Sequence, residues 1–269
     1  MSMIKENNMA VSVIVPIYNV KEYLEACLES LERQTLQNIE VIMVNDGSTD
    51  GSEKIARQYV DRDTRFRLIN RENGGLSAAR NSGVKYAIGK YIYFLDSDDY
   101  LINTALERMY QMAEKENLDV LKFSAYNFED GKDNEMVWGG YRYKGEYPDV
   151  YTGVELLNCM RCNGDNDIVS CCLIFIKKNI IEENNLKFYE GVIHEDNLFH
   201  WLLLAVCKRV KILNEPLYCR RNRQGSITRT PQYYNKWKSG VLCTLAADDF
   251  FHKHGELKGT GIDRDYYSF

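Results

Sequence analysis

The chain has 269 residues, 45% of them hydrophobic, four prolines and a net charge of −5. That length holds one large α/β domain, or a domain with an appendage, and buries a core without disulfide or metal staples. The negative balance disfavours general nucleic-acid binding, and no apolar run approaches the ~18–20 residues of a membrane-spanning helix. The start lacks the basic and apolar regions of an export signal, so the expected location is cytoplasmic and the eight cysteines read as reduced thiols. Cys159-x-x-Cys162 followed by Cys171-Cys172 makes a poor zinc site, because adjacent cysteines on a strand face opposite ways and no histidine lies near.

Residues 1–10 read as a flexible start. Val11–Pro16 predicts a buried strand ended by its proline, and Tyr23, Leu24, Cys27, Leu28 and Leu31 fall at the spacing of an amphipathic helix. Ile39–Val44 is a second strand, broken by Asn45-Asp46-Gly47-Ser48; Ser52–Val60 is helical; Arg65–Ile69 is a third strand. Asn73-Gly74-Gly75 is a loop, Leu76–Ile88 a helix and Lys90–Leu95 a fourth strand. This alternation predicts βαβ units, right-handed crossovers and a mostly parallel sheet. Beyond Tyr100 the rhythm changes to a helix over Asn103–Glu116, a strand over Asp119–Tyr126 and a Gly-, Tyr- and Asp-rich hairpin or covering loop to Val150. Helices over Thr152–Met160 and Glu195–Ala205 flank a strand over Val169–Ile176, and Pro231–His254 reads as a closing helix. The chain thus divides into residues 11–100, residues 101–230 and a helical extension over 231–269 whose end reads as shortened.

Open α/β sheets bind ligands outside the carboxyl ends of their strands. Here those ends carry Pro16-Ile17-Tyr18-Asn19, Asp46-Gly47-Ser48-Thr49-Asp50, Asn73-Gly74-Gly75 and Asp96-Ser97-Asp98-Asp99, so every polar feature falls on one rim. A buried strand that stops at a cluster of carboxylates needs solvent or a cation there. Mg²⁺ or Mn²⁺ takes one or two carboxylates plus the oxygens of a substrate phosphate, and Asp96-x-Asp98 offers such a partial shell. A solvated acidic turn gives the same letters; the company of the other loops favours nucleotide or phosphate chemistry. Residues 205–240 hold nine Lys or Arg against Glu215 alone, a local balance of +8 that suits a solvated surface, a diphosphate or an anionic membrane.

The segments Val13-Ile-Val-Pro-Ile-Tyr-Asn19, Val44-Asn-Asp-Gly-Ser-Thr-Asp50, Asn73-Gly-Gly-Leu-Ser-Ala-Ala-Arg-Asn81, Phe94-Leu-Asp-Ser-Asp-Asp99 and His194-Glu-Asp-Asn197 resemble the successive signatures of family 2 glycosyltransferases. They do so from residue 11 to about residue 228, in the family's order. The resemblance is to the inverting, non-processive bacterial type, since the Gln-x-x-Arg-Trp of processive synthases is missing. It implies an α/β GT-A fold: a Rossmann-like, mostly parallel central sheet flanked by helices with a C-terminal helical extension, residues 11–100 binding nucleotide and 101–230 binding acceptor. It also implies a UDP-sugar donor, Mn²⁺ or Mg²⁺, and a glycan or lipid-diphosphate-linked oligosaccharide acceptor in cell-surface polysaccharide synthesis. A peripheral contact with the inner membrane face would suit the basic strip.

The resemblance assigns roles residue by residue. Pro16, Tyr18 and Asn19 border the nucleotide, with Tyr18 packing on the base or capping the core. Asp46 accepts a hydrogen bond from a uracil imide, Asp50 caps the following helix, and Asn73 and Gly74, with Gly75, let the backbone approach the donor or simply turn it. Arg80 reaches the diphosphate or forms a surface ion pair. Asp96 faces the ribose side, Asp98 holds the metal, and Asp99 braces them with a hydrogen bond. Asp196 is the general base for direct displacement at the anomeric carbon, Glu195 positions the acceptor, and Arg220 or Arg221 binds phosphate. A metalloprotease reading of His194-Glu195 fails because Leu198 stands where a histidine is required. A sugar nucleotidyltransferase would want a Gly-rich loop after the first strand, and a dehydrogenase Gly-x-Gly-x-x-Gly. An inactive carbohydrate- or partner-binding subunit on the same fold remains the alternative, against which Asp96, Asp98 and Asp196 weigh.

Overall fold

The structure is a computed structural model and describes residues 9–132, 135–193, 195–223 and 233–257, the side chains of 233–237 and 256 excepted. The expected flexible start, His194, the segment 224–228, the side chain of Trp237 and the end of the chain lie outside the described residues, wholly or but for a residue or two. Eight strands form one sheet: β1 Val11–Ile17, β2 Ile39–Asn45, β3 Phe66–Asn70, β4 Tyr91–Phe94, β5 Tyr100–Leu101, β6 Val120–Glu129, β7 Ile174–Lys177 and β8 Val210–Asn222. The helices are α1 Lys21–Glu32, α2 Ser52–Arg62, α3 Leu76–Tyr86, α4 Ala105–Lys115, α5 Gly153–Cys162, α6 Lys178–Glu183, α7 Glu195–Val206 and α8 Tyr233–Lys253.

The strand order is β3-β2-β1-β4-β7-β6-β8-β5. β1 to β4 run parallel, as do β6 and β8, while β7 and β5 run antiparallel to their neighbours. β1, β2 and β4 are buried at every position, which is why they read as unbroken apolar runs rather than alternating ones. The strand order reverses between β1 and β4, so the crevice at a topological switch point opens between Pro16 and Asp96.

Two packing features seat the elements that carry chemistry. α3 lies so close to β1 that a Cβ on Gly83 would stand 2.4 Å from Cγ2 of Ile14, which fixes the depth of Arg80 one turn earlier. α7 is tied to β6 by a buried cluster: Lys122 donates to Asp167 at 2.6 Å, and Nε2 of His200 lies 2.7 Å from Asp167. Burial and then the Lys122 charge hold the His200 imidazole below its ordinary pKa.

Several expectations are corrected. Pro16 does not end the first strand. The β4 ladder stops at Ile14↔Phe94, and the missing N–H of Pro16 points to that vacated side, so it costs no hydrogen bond. The strand expected over Val169–Ile176 is a 3-10 turn over Cys171–Leu173 followed by β7. All eight cysteines are free, and among the described residues no three His, Cys, Asp or Glu side chains gather as a ready-made metal shell.

Among the described residues the basic strip is not one patch, because its core is β8. Arg209 closes α4 by donating to the carbonyl of Glu116, and Lys211 donates to that of Pro148 at 2.7 Å. Arg220, Arg221 and Arg223 stand at the far end of β8 or just past it, about 30 Å along the strand.

Asp50 confirms its capping role and extends it. Its carboxylate accepts the Lys21 N–H that opens α1 at 2.9 Å and the Ser52 N–H that opens α2 at 2.9 Å. Burial works against its charge, but the hydrogen bonds from Ser52 and Lys21 outweigh it and lower its pKa below the ordinary carboxylate value. An acid with a lowered folded pKa stabilises the fold above its unfolded pKa and loses that contribution as pH falls through the folded value. Asp50→Ala should therefore cost about 1 kcal/mol in urea unfolding at pH 7. The gap from wild type should narrow below about pH 4; a gap that is constant with pH would contradict the capping account.

Candidate active site

A cleft of ≈ 550 Å³ opens at the switch point, and Pro16, Tyr18, Asp46, Asn73, Asp96, Asp98, Glu195, Asp196 and Arg220 all line it. The rim expected from sequence is therefore a real surface, built from segments as far apart in the chain as Pro16 and Arg223. Tyr18 is 52% exposed and stands at the mouth, where a ring can take a planar ligand rather than cap the core. Asn19 has φ +49° and turns away, its side-chain oxygen accepting the Thr49 N–H at 2.8 Å, so it joins two rim loops instead of facing a ligand.

Asp46, at the end of β2, is almost fully buried. Its carboxylate accepts the N–H groups of Gly74 at 3.1 Å and Gly75 at 2.8 Å and pairs with Nε of Arg71 at 2.9 Å. It is the post to which the glycine loop is tied. Gly75 has φ +86°, a backbone that side chains rarely adopt, and a Cβ on Gly74 would stand 2.4 Å from the Arg71 guanidinium. The loop leads straight into α3, so Asp46 sets where that helix begins.

Arg80 of α3 is the deepest charge in the site, its side chain 3% exposed. Nη2 donates to Asp96 at 2.8 Å and Nη1 to Glu195 at 2.7 Å, with the guanidinium 5.2 Å above the Phe188 ring. Phe188 in turn stacks on Phe199 of α7 at 4.1 Å. Burial works against the charge, but Cys171, Asp96, Cys172 and Glu195 more than restore it, and its pKa lies well above the ordinary arginine value. Each terminal nitrogen thus donates to one carboxylate, one from each half of the chain, while Arg80 also lines the cleft and its Nε–H meets no acceptor among the described residues.

The acidic cluster splits by burial. All three line the cleft, but Asp96 and Asp98 are half-buried whereas Asp99 is buried, accepting the Arg221 N–H at 2.6 Å and the Tyr218 hydroxyl. Burial and then the charges of Asp98 and Asp96 push the Asp99 pKa well above the usual carboxylate range. Arg221 lines the cleft too, with its Nη1 on Asp130 at 3.0 Å and its guanidinium 4.7 Å from the Phe128 ring. Arg220 lines the cleft beside the Tyr141 ring.

Arg223 had no assigned role, yet its Nε donates to Asp98 at 2.7 Å. Glu195 and Asp196 open α7. The Asp196 carboxylate accepts the Asn197 N–H at 3.0 Å.

The donor set of Asp96 and Asp98, hard oxygens on a cleft wall, fits Mg²⁺ or Mn²⁺ as a partial shell to be completed by water and phosphate.

Comparison with known proteins decides the family. The sequence model of glycosyl transferase family 2 matches residues 12–178. EpsJ of Bacillus subtilis (strain 168), an uncharacterized glycosyltransferase, is 36% identical over 93% of this chain and 71% of its own. The chain belongs to glycosyl transferase family 2. The minor teichoic acid biosynthesis protein GgaB of B. subtilis is 31% identical over 90% of this chain but only 26% of its own length. Residues 1–349 of S. aureus TarS in complex with UDP-GlcNAc share the fold, with a TM-score of 0.74 at 24% identity over 89% of this chain and 66% of that one. The enzyme is thus a glycosyltransferase on a mainly parallel sheet flanked by helices.

In this family 2 glycosyltransferase the Arg80 bridge should be the costliest single side chain to lose. Arg80→Met leaves the Glu195 carboxylate, 12% exposed, without its cation, and should destabilise the fold by about 3 kcal/mol in denaturant unfolding. A loss below ~0.5 kcal/mol, typical of a surface ion pair, would contradict the bridge.

Proposed function

We propose that this enzyme transfers a sugar from a UDP-sugar to a hydroxyl of a glycan acceptor, with inversion, in assembly of a cell-surface polysaccharide. The observation that carries the proposal is the convergence of Asp96, Asp98, Glu195 and Asp196 on one cleft, with Arg80 joining the two acidic pairs. The UDP-GlcNAc held by TarS supports a uridine nucleotide donor, and the teichoic acid role named for GgaB supports a polymer-building pathway.

In this reading Tyr18 packs on the base at the mouth of the cleft, and Pro16, Asn73 and the Gly74-Gly75 backbone border the nucleotide. Asp46 orients that backbone and keeps acceptor capacity for a uracil N–H, since a carboxylate offers about four lone-pair sites. Asp96 and Asp98 hold Mg²⁺ or Mn²⁺, which supplies charge neutralisation on the diphosphate leaving group. Arg220 faces the same phosphate oxygens.

The acceptor hydroxyl is a weak nucleophile at neutral pH. Asp196 takes its proton as the new carbon–oxygen bond forms on one face of the anomeric carbon and the bond to the diphosphate breaks on the other. The proton ends on Asp196, the bonding pair leaves with UDP, and a single displacement inverts the centre. Glu195 is held by Arg80 and so cannot drift from the acceptor side; its role is orientation. No membrane contact enters the proposal, because the basic strip is divided between the two ends of β8.

Asp196→Asn should retain UDP binding by calorimetry and lower transfer by roughly 10²–10⁴, the usual worth of a general base. A parallel loss of binding would show that Asp196 holds the donor instead. Asp98→Asn should remove metal-dependent UDP binding, and unchanged binding in chelator and in Mn²⁺ would refute the metal assignment.

A further inference from the structure

Asp98 already has a cation. Nε of Arg223 lies 2.7 Å from Oδ2 of Asp98, and both side chains are 23% exposed, half-sheltered on the cleft wall. The pair is framed by its surroundings. The Arg223 guanidinium lies 5.1 Å from the Tyr23 ring, and that of Arg221 5.3 Å from the same ring. Tyr23 donates to Asp130 at 3.1 Å, Asp130 holds Arg221, and Nε of Arg221 donates to the Asp98 carbonyl at 3.1 Å. Asp99 fixes the Arg221 N–H from below at 2.6 Å. The backbone is therefore pinned two residues before Arg223, while the Arg223 side chain itself extends from the end of β8 onto one of the two carboxylates assigned to a metal.

A guanidinium and a divalent ion cannot occupy the same carboxylate oxygen, because the two positive charges repel at contact distance. We infer that Arg223 is the internal counter-cation of Asp98, displaced when a divalent metal binds and then free to pair with the diphosphate of the donor. The inference rests on the proposed UDP-sugar and metal reading of this cleft and adds the residue that couples the two ligands. Metal binding alone works against an ion pair, since a divalent ion on either oxygen of Asp98 repels the guanidinium beside it. With a nucleoside diphosphate present, the released fork of N–H donors gains a planar anionic partner that Arg suits better than Lys. Metal and donor should then strengthen one another's binding, and by linkage they do so equally. The pair also keeps the resting cleft from presenting an uncompensated Asp98 charge.

The test is Mn²⁺ affinity, read from the paramagnetic resonance signal of the free ion, with and without UDP, in wild type, Arg223→Gln, Arg223→Lys and Asp98→Asn. Arg223→Gln should bind Mn²⁺ alone on the order of tenfold more tightly than wild type. The enhancement of Mn²⁺ affinity by UDP should shrink in that variant. Arg223→Lys, which keeps the charge, should stay within about threefold of wild type without UDP; it also serves should the glutamine variant fold poorly. Equal Mn²⁺ affinity in Arg223→Gln and wild type, with UDP-dependent binding intact and lost in Asp98→Asn, would overturn the role of Arg223 alone. No Mn²⁺ binding to wild type with UDP present would overturn the metal reading and the inference with it.

Discussion

A guanidinium sealed under the cleft, with one carboxylate from each half of the chain on its two terminal nitrogens, is the constraint on which this site depends. Burying Arg80 is costly unless its charge is met at close range, and Asp96 and Glu195 meet it at 2.8 and 2.7 Å. Because the partners are fixed by chemistry rather than by shape, the start of α7 cannot slide relative to the end of β4 without exposing an unpaired buried charge. The bridge has its own foundation: Asp46 holds the Gly74-Gly75 turn, the turn sets the first residue of α3, and Gly83 lets that helix sit against Ile14 at the depth where Arg80 reaches both acids.

Electrostatics then divides the acidic residues by task. Asp99 is buried and held by Tyr218 and the Arg221 backbone, so it shapes β8 rather than meeting solvent. Asp96 has one oxygen on Arg80 and remains 35% exposed, leaving acceptor capacity toward the cleft. Asp98 is neutralised by an arginine that sits beyond the strand end. Asp96, Asp98 and Glu195 can share one cleft because two cations of the protein, Arg80 and Arg223, balance them.

Much of this was legible in the sequence because β1, β2 and β4 are central strands whose continuous apolar runs end sharply in polar loops, and parallel βαβ winding puts those loops on one rim. β8 was not legible. Between Phe123↔Leu213 and Ser124↔Pro216 it carries two extra residues, and Asn214 turns to bond Ser124 and Tyr143, so the apolar alternation is lost. The surrounding lysines and arginines then read as a surface strip. Arg80 and Glu195 lie 115 residues apart, and nothing local to either names the other. The same is true of Lys122, which looks like a flaw in a strand until Asp167 and His200 are found around it.

The central claim is that Arg80 is a fixed brace between Asp96 and Glu195. A crystal structure of the enzyme with UDP and Mn²⁺ tests this most directly. The account predicts that Arg80 keeps both Asp96 and Glu195 within hydrogen-bond distance while the diphosphate lies against the face bearing Asp98 and Arg223. A guanidinium turned onto the diphosphate, with either carboxylate contact broken, would contradict it.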